Sequence, residues 1–305
     1  VTRKLLLDTD PGCDDAAAIA FALGCDAVDT VGVTTVAGNS TVENTTENAI
    51  AVLEALDRPD VPVAKGCDRP LVKELTLAEH VHGDGGLYGE LTQSGTAVDA
   101  HAVDFIIDQA RRHGDDLTIA AVGPLTNVAV AIAREPALPN LVDDIYVMGG
   151  AAFEAGNATP VAEFNIYNDP EAASRVTQAA EPKIVGLDAT NDATLPYDTV
   201  RELHDRNPRL EHVAKWCEYA PEIPATAERR DRPSLHDPAV VAAVVDDVVA
   251  FERHYTQIDT SGGLCEGQVV CDEPEVTGNP PNADIAVDID ASGFRDRLLD
   301  AYSNL

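Results

Sequence analysis

Asp8, Asp10, Asp14 and Asp15 place four carboxylates within eight consecutive positions, with Pro11-Gly12 between the two pairs. Acids this close repel one another and need a cation, a shared proton or full solvation to coexist. Asp14 and Asp15 also suit a plainer role, because acidic residues in the first turn of a helix offset its dipole. That role does not extend to Asp8 and Asp10, which precede the turn. An oxygen-only set suits a hard cation such as Ca²⁺ or Mg²⁺. Further polar residues stand at intervals along the chain: Asn39, His82, Thr126-Asn127, Asn157, Glu163, Asn165, Asp188 and His236-Asp237.

The elements around these residues alternate. The apolar run Arg3 to Leu7 reads as a buried strand, and Pro11-Gly12 ends it. Ala16 to Leu23 reads as a buried helix closed by Gly24. Val28 to Val36 is rich in β-branched residues and reads as a strand, and Ser40-Thr41-Val42-Glu43 is a capping box for a helix to about Leu56. Short strands follow at 61–63, 117–122, 144–148 and 183–187, with helices over 101–112, from the Gly123-Pro124-Leu125-Thr126-Asn127 turn to Pro136, and from Pro170. Two long irregular stretches, 74–96 and 151–168, interrupt the pattern, and long loops in compact domains tend to carry function. Helical segments fill about 197–220, an apolar segment runs from Ala239 to Val245, β-hairpins are expected from about 251 to 289, and a last helix covers 294–302. This alternation predicts a single α/β domain over 1–305 with an open, mostly parallel, Rossmann-like sheet flanked by helices. The polar residues fall where strands end, so one sheet would gather them at the carboxyl ends of its strands.

The chain carries 53 acidic against 21 basic residues, a net charge of −32, and only five of the bases are Lys. The acids are spread along the chain rather than collected in a tail. Such charge favours solubility, is a lever used in salt-adapted proteins, and disfavours nucleic acid or an anionic membrane as partner. No apolar run is long enough to span a membrane, and no signal-like segment is seen. The six cysteines show neither Cys-x-x-Cys pairs nor zinc spacing, so free thiols in a cytoplasmic setting are expected.

Asp8-Thr9-Asp10-Pro11-Gly12-Cys13-Asp14-Asp15 resembles the N-terminal signature of the inosine–uridine-type nucleoside hydrolases. The likeness continues through Gly38-Asn39, His82-Gly83-Asp84-Gly85-Gly86-Leu87, Gly123-Pro124-Leu125-Thr126-Asn127, Met148-Gly149-Gly150, Ala162-Glu163-Phe164-Asn165, Asn168-Asp169-Pro170 and His236-Asp237-Pro238. The blocks keep the family's order and reach to about residue 270. The resemblance implies hydrolysis of the N-glycosidic bond of a ribonucleoside to ribose and free base, with a bound Ca²⁺. It implies a metal held by Asp10, Asp15, Asp237 and the backbone carbonyl of Thr126, with Asp10 also taking a proton from the attacking water. Asp14, Asn39, Asn157, Glu163 and Asn165 would hold the ribose, and His82 and His236 would lie near the base. It further implies a homo-oligomer, a dimer or tetramer. The chemistry asks for such groups: an oxocarbenium-like sugar is stabilised by carboxylates and amides, and a departing base is a poor anion unless protonated.

Some residues carry plainer expectations. Met148, Trp216 and Tyr219 read as core rather than as walls of a site. Asp8, one pleat from Asp10, reads as support. Asn191 stands where the family commonly has His, and 216–235, tied by the resemblance to base recognition, has no clear counterpart. Two competing functions fit parts of the pattern. Asp8-Thr9-Asp10 after an apolar strand also suits an Mg²⁺-dependent haloacid-dehalogenase-like phosphatase with Asp8 as nucleophile. A ribonucleoside-binding protein without turnover would need the same pocket.

Overall fold

Leu5, Leu6 and Leu7 are fully buried on both faces of β1 (Arg3–Thr9), as expected of the centre of a parallel sheet. The computed structural model describes residues 2–78, 85–87, 91, 93–204, 208–218 and 233–305. Beside β1 lie β2 (Val28–Thr35), β3 (Val63–Lys65), β4 (Leu117–Ala121), β5 (Asp144–Met148) and β6 (Lys183–Val185). Near the end of the chain come β7 (Val249–His254), β8 (Thr256–Ile258), β9 (Val269–Cys271) and β10 (Ala283–Ile289).

Eight of these strands form one sheet in the order β3-β2-β1-β4-β5-β6-β10-β7. All neighbours are parallel except β10 and β7. The chain runs outward from β1 through β2 and β3, then returns to the other side of β1 and runs outward again through β4. Order reverses between β1 and β4, and the crevice beyond the carboxyl ends of such a pair is where open α/β sheets bind ligands.

Helices cover both faces. One face holds α1 (Cys13–Gly24) and α2 (Val42–Ala55), which pack on Leu5 and Leu7; the other holds α3 (Ala102–His113) and α4 (Thr126–Arg134), which pack on Leu6. Two short helices follow β5, α5 (Phe164–Asn168) and α6 (Pro170–Ala180), and α7 (Leu187–Thr190) follows β6. Then come α8 (Tyr197–His204), α9 (Pro208–Glu218), α10 (His236–Val245) and α11 (Ala291–Ser303). The Tyr302 hydroxyl of α11 donates to the carbonyl of Ala17 in α1 at 3.0 Å, so the end of the chain seals the layer over its beginning.

The expected elements fall close to their places, with three differences. The 251–289 stretch is not a set of separate hairpins: β7 and β10 extend the main sheet, and only β8 and β9 pair by themselves. Helix α5 lies inside the long 151–168 loop, and α7 stands where the β6 strand was expected to continue. None of the six cysteines is in a disulfide. Met148 and Trp216 are buried in the core, the indole stacked on His212, while Tyr219 lies outside the described residues.

Candidate active site

Strand parity sends Asp8 and Thr9 to opposite faces of β1. Asp8 points to the same face as Leu6, where its Oδ1 accepts from the Thr34 hydroxyl of β2 at 2.6 Å and from Asn127 Nδ2 of α4 at 2.8 Å. Thr9 points to the opposite face and meets α1, donating from its hydroxyl to Asp15 Oδ1 at 2.5 Å. Asp15 also accepts from the backbone N–H of Asp10 at 3.2 Å and of Gly12 at 2.9 Å. Asp15 therefore does what the plainer reading asked, since it reaches back to the N-terminus of α1. It does so while facing the other acids.

One carboxylate oxygen from each of Asp14, Asp15 and Asp237 lies within 4.8 Å of the others, all three buried. Asp237 comes from the first turn of α10, which is apolar all round and buried along its length, so its end is driven into the crevice. Burial and the neighbouring Asp15 push Asp14 up to about 8. Asp237 is raised well above the ordinary carboxylate range by burial, then by Asp14, Asp15 and Asp10. Asp10 is raised in the same way by burial and by Asp15, against the lowering effect of the Asn39 N–H. Among the described residues no Lys or Arg forms an ion pair with any of the four. Buried like charges without a cation are costly. A divalent ion fits this donor set, which is made of hard oxygens.

Asn39 ties the acids together. Its backbone N–H donates to Asp10 Oδ2 at 2.6 Å, and its Nδ2 donates to the Asp10 carbonyl at 3.1 Å and to Asp15 Oδ2 at 3.0 Å. The Asp10 carboxylate is also walled by two glycines. A Cβ on Gly38 would stand 2.1 Å from Asp10 Oδ2, and one on Gly123 would stand 2.6 Å from Oδ1. These glycines lie just past β2 and β4, so the walls come from the two strands that flank β1.

The opposite wall of the crevice follows β5. Glu163 caps α5: its oxygens accept from the N–H of Asn165 at 2.9 Å, of Gly150 at 3.0 Å and of Ile166 at 3.3 Å. Burial raises its pKa while these donors oppose the rise. Asn165 donates from Nδ2 to the carbonyls of Val122 at 2.8 Å and Met148 at 3.2 Å, bridging the ends of β4 and β5. Asn157 is exposed, and its Oδ1 accepts from the Phe164 N–H at 2.9 Å. His236 is buried next to Asp237, with Nδ1 2.8 Å from the Thr190 hydroxyl.

The structure thus brings Asp10, Asp14, Asp15, Asn39 and Asp237 into one cluster, with Glu163 close enough to act on Asp14 electrostatically. Asp14, assigned to the sugar by resemblance, sits inside the tight carboxylate triad, and Asp10 stands beside it. Thr126 opens α4, and its hydroxyl donates to Asp169 Oδ2 at 2.6 Å. His82 lies outside the described residues, as does most of 216–235. Sequence reasoning missed Thr9 and Thr190. Thr9 was legible from parity, because a strand that points Asp8 one way points its neighbour the other. Thr190 had no local signal. Asn191 is half-buried after α7, next to Thr190, whose hydroxyl meets the His236 ring. Asp8 cannot serve as a phosphatase nucleophile, because its carboxylate is fully buried on the far face and Oδ1 is held by two donors.

The sequence pattern of the family described as inosine-uridine preferring nucleoside hydrolase matches residues 5–296. The chain belongs to this family. The hydrolase is 38% identical to the pyrimidine-specific ribonucleoside hydrolase RihA of Shewanella woodyi, over 99% of this chain and 100% of that one. It is 38% identical to RihA of Escherichia coli K12 over 97% of each. Among solved structures it resembles the purine-preferring ribonucleoside hydrolase from Gardnerella vaginalis (TM-score 0.90, 32% identity, 99% of this chain and 98% of that one). It also resembles the plant nucleoside hydrolase PpNRh1 (TM-score 0.88, 32% identity, 98% and 99%). The hydrolase cleaves the N-glycosidic bond of ribonucleosides, which excludes the phosphatase and the binding-only readings.

Proposed function

We propose that the hydrolase uses Ca²⁺ and that Asp10 is the base that accepts the proton of the attacking water. The carrying observation is the buried acid cluster, with which no Lys or Arg among the described residues forms an ion pair. Asp10, Asp15, Asp237 and the Thr126 carbonyl would hold the ion, and the tight triad gives Asp14 the same opportunity. Ca²⁺ bound there would lower the pKa of its water and fix the line of attack. Asp10 is fixed for proton transfer by the Asn39 N–H and by the glycine walls. Asp14, Asn39, Asn157, Glu163 and Asn165 would bind the ribose and favour the positive charge that develops on it. His236, and His82 from the glycine-rich segment, would give a proton to the leaving base.

Relatives named pyrimidine-specific and purine-preferring stand at comparable similarity, so both base classes belong in the test. Inosine, uridine, cytidine, adenosine and guanosine are incubated with the enzyme, and ribose and base are measured separately. Equal release of ribose and base from at least one ribonucleoside is expected. Base release without ribose would refute hydrolysis by water.

From the acid excess we further propose a salt-adapted, cytoplasmic enzyme acting on small ribonucleosides without nucleic acid or membrane, and from the family resemblance a homo-oligomer, a dimer or tetramer. No helix among the described residues is long and apolar enough to cross a membrane. At a net charge of −32, self-repulsion is screened by salt. The melting temperature should rise through a molar KCl series, with sedimentation reading the subunit number at each step. Full stability in dilute buffer would count against salt adaptation, and a monomer throughout would count against assembly.

A further inference from the structure

We infer that Asp188 is a positioning residue for ribonucleoside binding, holding the entry of the loop that carries the proposed ribose ligands. Three consecutive backbone N–H groups converge on its carboxylate: Ala152 donates to Oδ2 at 2.9 Å, and Phe153 and Glu154 donate to Oδ1 at 2.7 and 3.0 Å. Among the described residues these are the side-chain hydrogen bonds to 152–154. The far end of the loop is fixed separately, by the Glu163 cap of α5 and by Asn165 on the ends of β4 and β5.

The placement of Asp188 is itself constrained. A Cβ on Gly186 would meet the Gly150 carbonyl oxygen at 2.6 Å and that of Gly149 at 3.1 Å, so α7 lies directly against the exit of β5. The Leu187 N–H donates to the Gly150 carbonyl at 2.8 Å. Two residues beyond Asp188, Thr190 holds the His236 ring. One four-residue helix therefore touches both the loop on the sugar side and the histidine on the base side. Its carboxylate sets where the loop begins relative to the acid cluster.

Without the clamp the loop would spend part of its time out of the binding-competent arrangement. Apparent affinity falls by the competent fraction, while the bound enzyme, whose loop is ordered by the sugar, keeps its chemistry. The inference rests on the proposed reading of Asn157, Glu163 and Asn165 as ribose ligands.

The test compares Asp188→Ala, Asp188→Asn, Asn157→Ala and Asn165→Ala with the parent enzyme, using one cleaved ribonucleoside. Asp188→Ala should raise KM by about tenfold with kcat changed less than about threefold. Asp188→Asn keeps one carbonyl acceptor and should lie between the two. Amide exchange over 152–157 should quicken in the free variants and return to the parent rate at saturating substrate. If Asp188→Ala does not fold, Asp188→Asn decides by the same readouts. Unchanged KM in the Asp188 variants, or a loss confined to kcat, overturns the inference if Asn157→Ala or Asn165→Ala raises KM. If neither asparagine variant raises KM, the ribose-ligand reading fails and takes the inference with it.

Discussion

Asp10→Asn lowers kcat for ribonucleoside hydrolysis by about a thousandfold, with the fold retained, because a positioned base contributes about 10² to 10⁴ and the amide cannot take a proton. The substitution keeps the volume between Gly38 and Gly123, where there is no space for a different shape. It also removes an oxygen that accepts from Asn39 at 2.6 Å, or sets an NH₂ against that N–H. Asp8→Asn is the matched comparison two residues away. Asp8 Oδ1 takes both donors that reach the side chain, and an amide oxygen can replace it. Burial raises Asp8 to about 6 against the lowering effect of those two donors, so the uncharged amide relieves a buried charge. Asp8→Asn should keep kcat within about tenfold of the parent. Steady-state kinetics at saturating substrate, with circular dichroism of both variants, measure the pair. Equal losses in the two would show that Asp8, not only Asp10, takes part in the reaction.

Chelation should cost stability as well as turnover. A ligand that binds the native state at about a thousand times its Kd stabilises by about 4 kcal/mol, which for a chain of this size is on the order of 10 °C in melting temperature. The metal-free protein should also respond to pH in an unusual direction. Asp14 is raised to about 8, chiefly by burial and then by Asp15, and Asp10 and Asp237 are raised well above the ordinary range, chiefly by burial. The native state then holds more protons than the unfolded chain above about pH 4, so the stability these groups contribute is present below about 4 and lost as pH rises, for Asp14 through about 8. Calorimetry in chelator across pH 5 to 8 should show a falling melting temperature, and saturating Ca²⁺ should flatten the slope. An unchanged melting temperature on chelation would separate the acid cluster from any stabilising ion.

Much of this site was readable from the order of residues because strands and helices announce themselves over short windows. Leu5-Leu6-Leu7 fixed β1, and Pro11-Gly12 fixed its end, which put Asp10 at the crevice. Asp8 was readable as support one pleat from Asp10, but its turn toward α4 was not, because i and i+2 share a face in a strand and Asp10 lies just past the end of β1. The α5 and α7 helices were not readable, since five and four residues are too short to show a 3.6-residue period. Glu163 hid its role for a related reason: Glu is not among the usual N-cap residues, so nothing marked it as a cap. The neighbours of β10 were beyond reach because its pairing with β6 and β7 is set by non-local packing. The grouping of Asp14 with Asp15 and Asp237 belongs to the same class. It depends on where α10 ends relative to α1, which no spacing in the chain encodes.

Metal content tests the central claim most directly. The parent enzyme, Asp15→Ala and Asp237→Ala are dialysed without chelator and analysed for bound elements. Stoichiometric calcium in the parent, lost in both variants while the circular dichroism spectrum is retained, is the predicted result. Zinc in place of calcium, or calcium undiminished in Asp237→Ala, would contradict it.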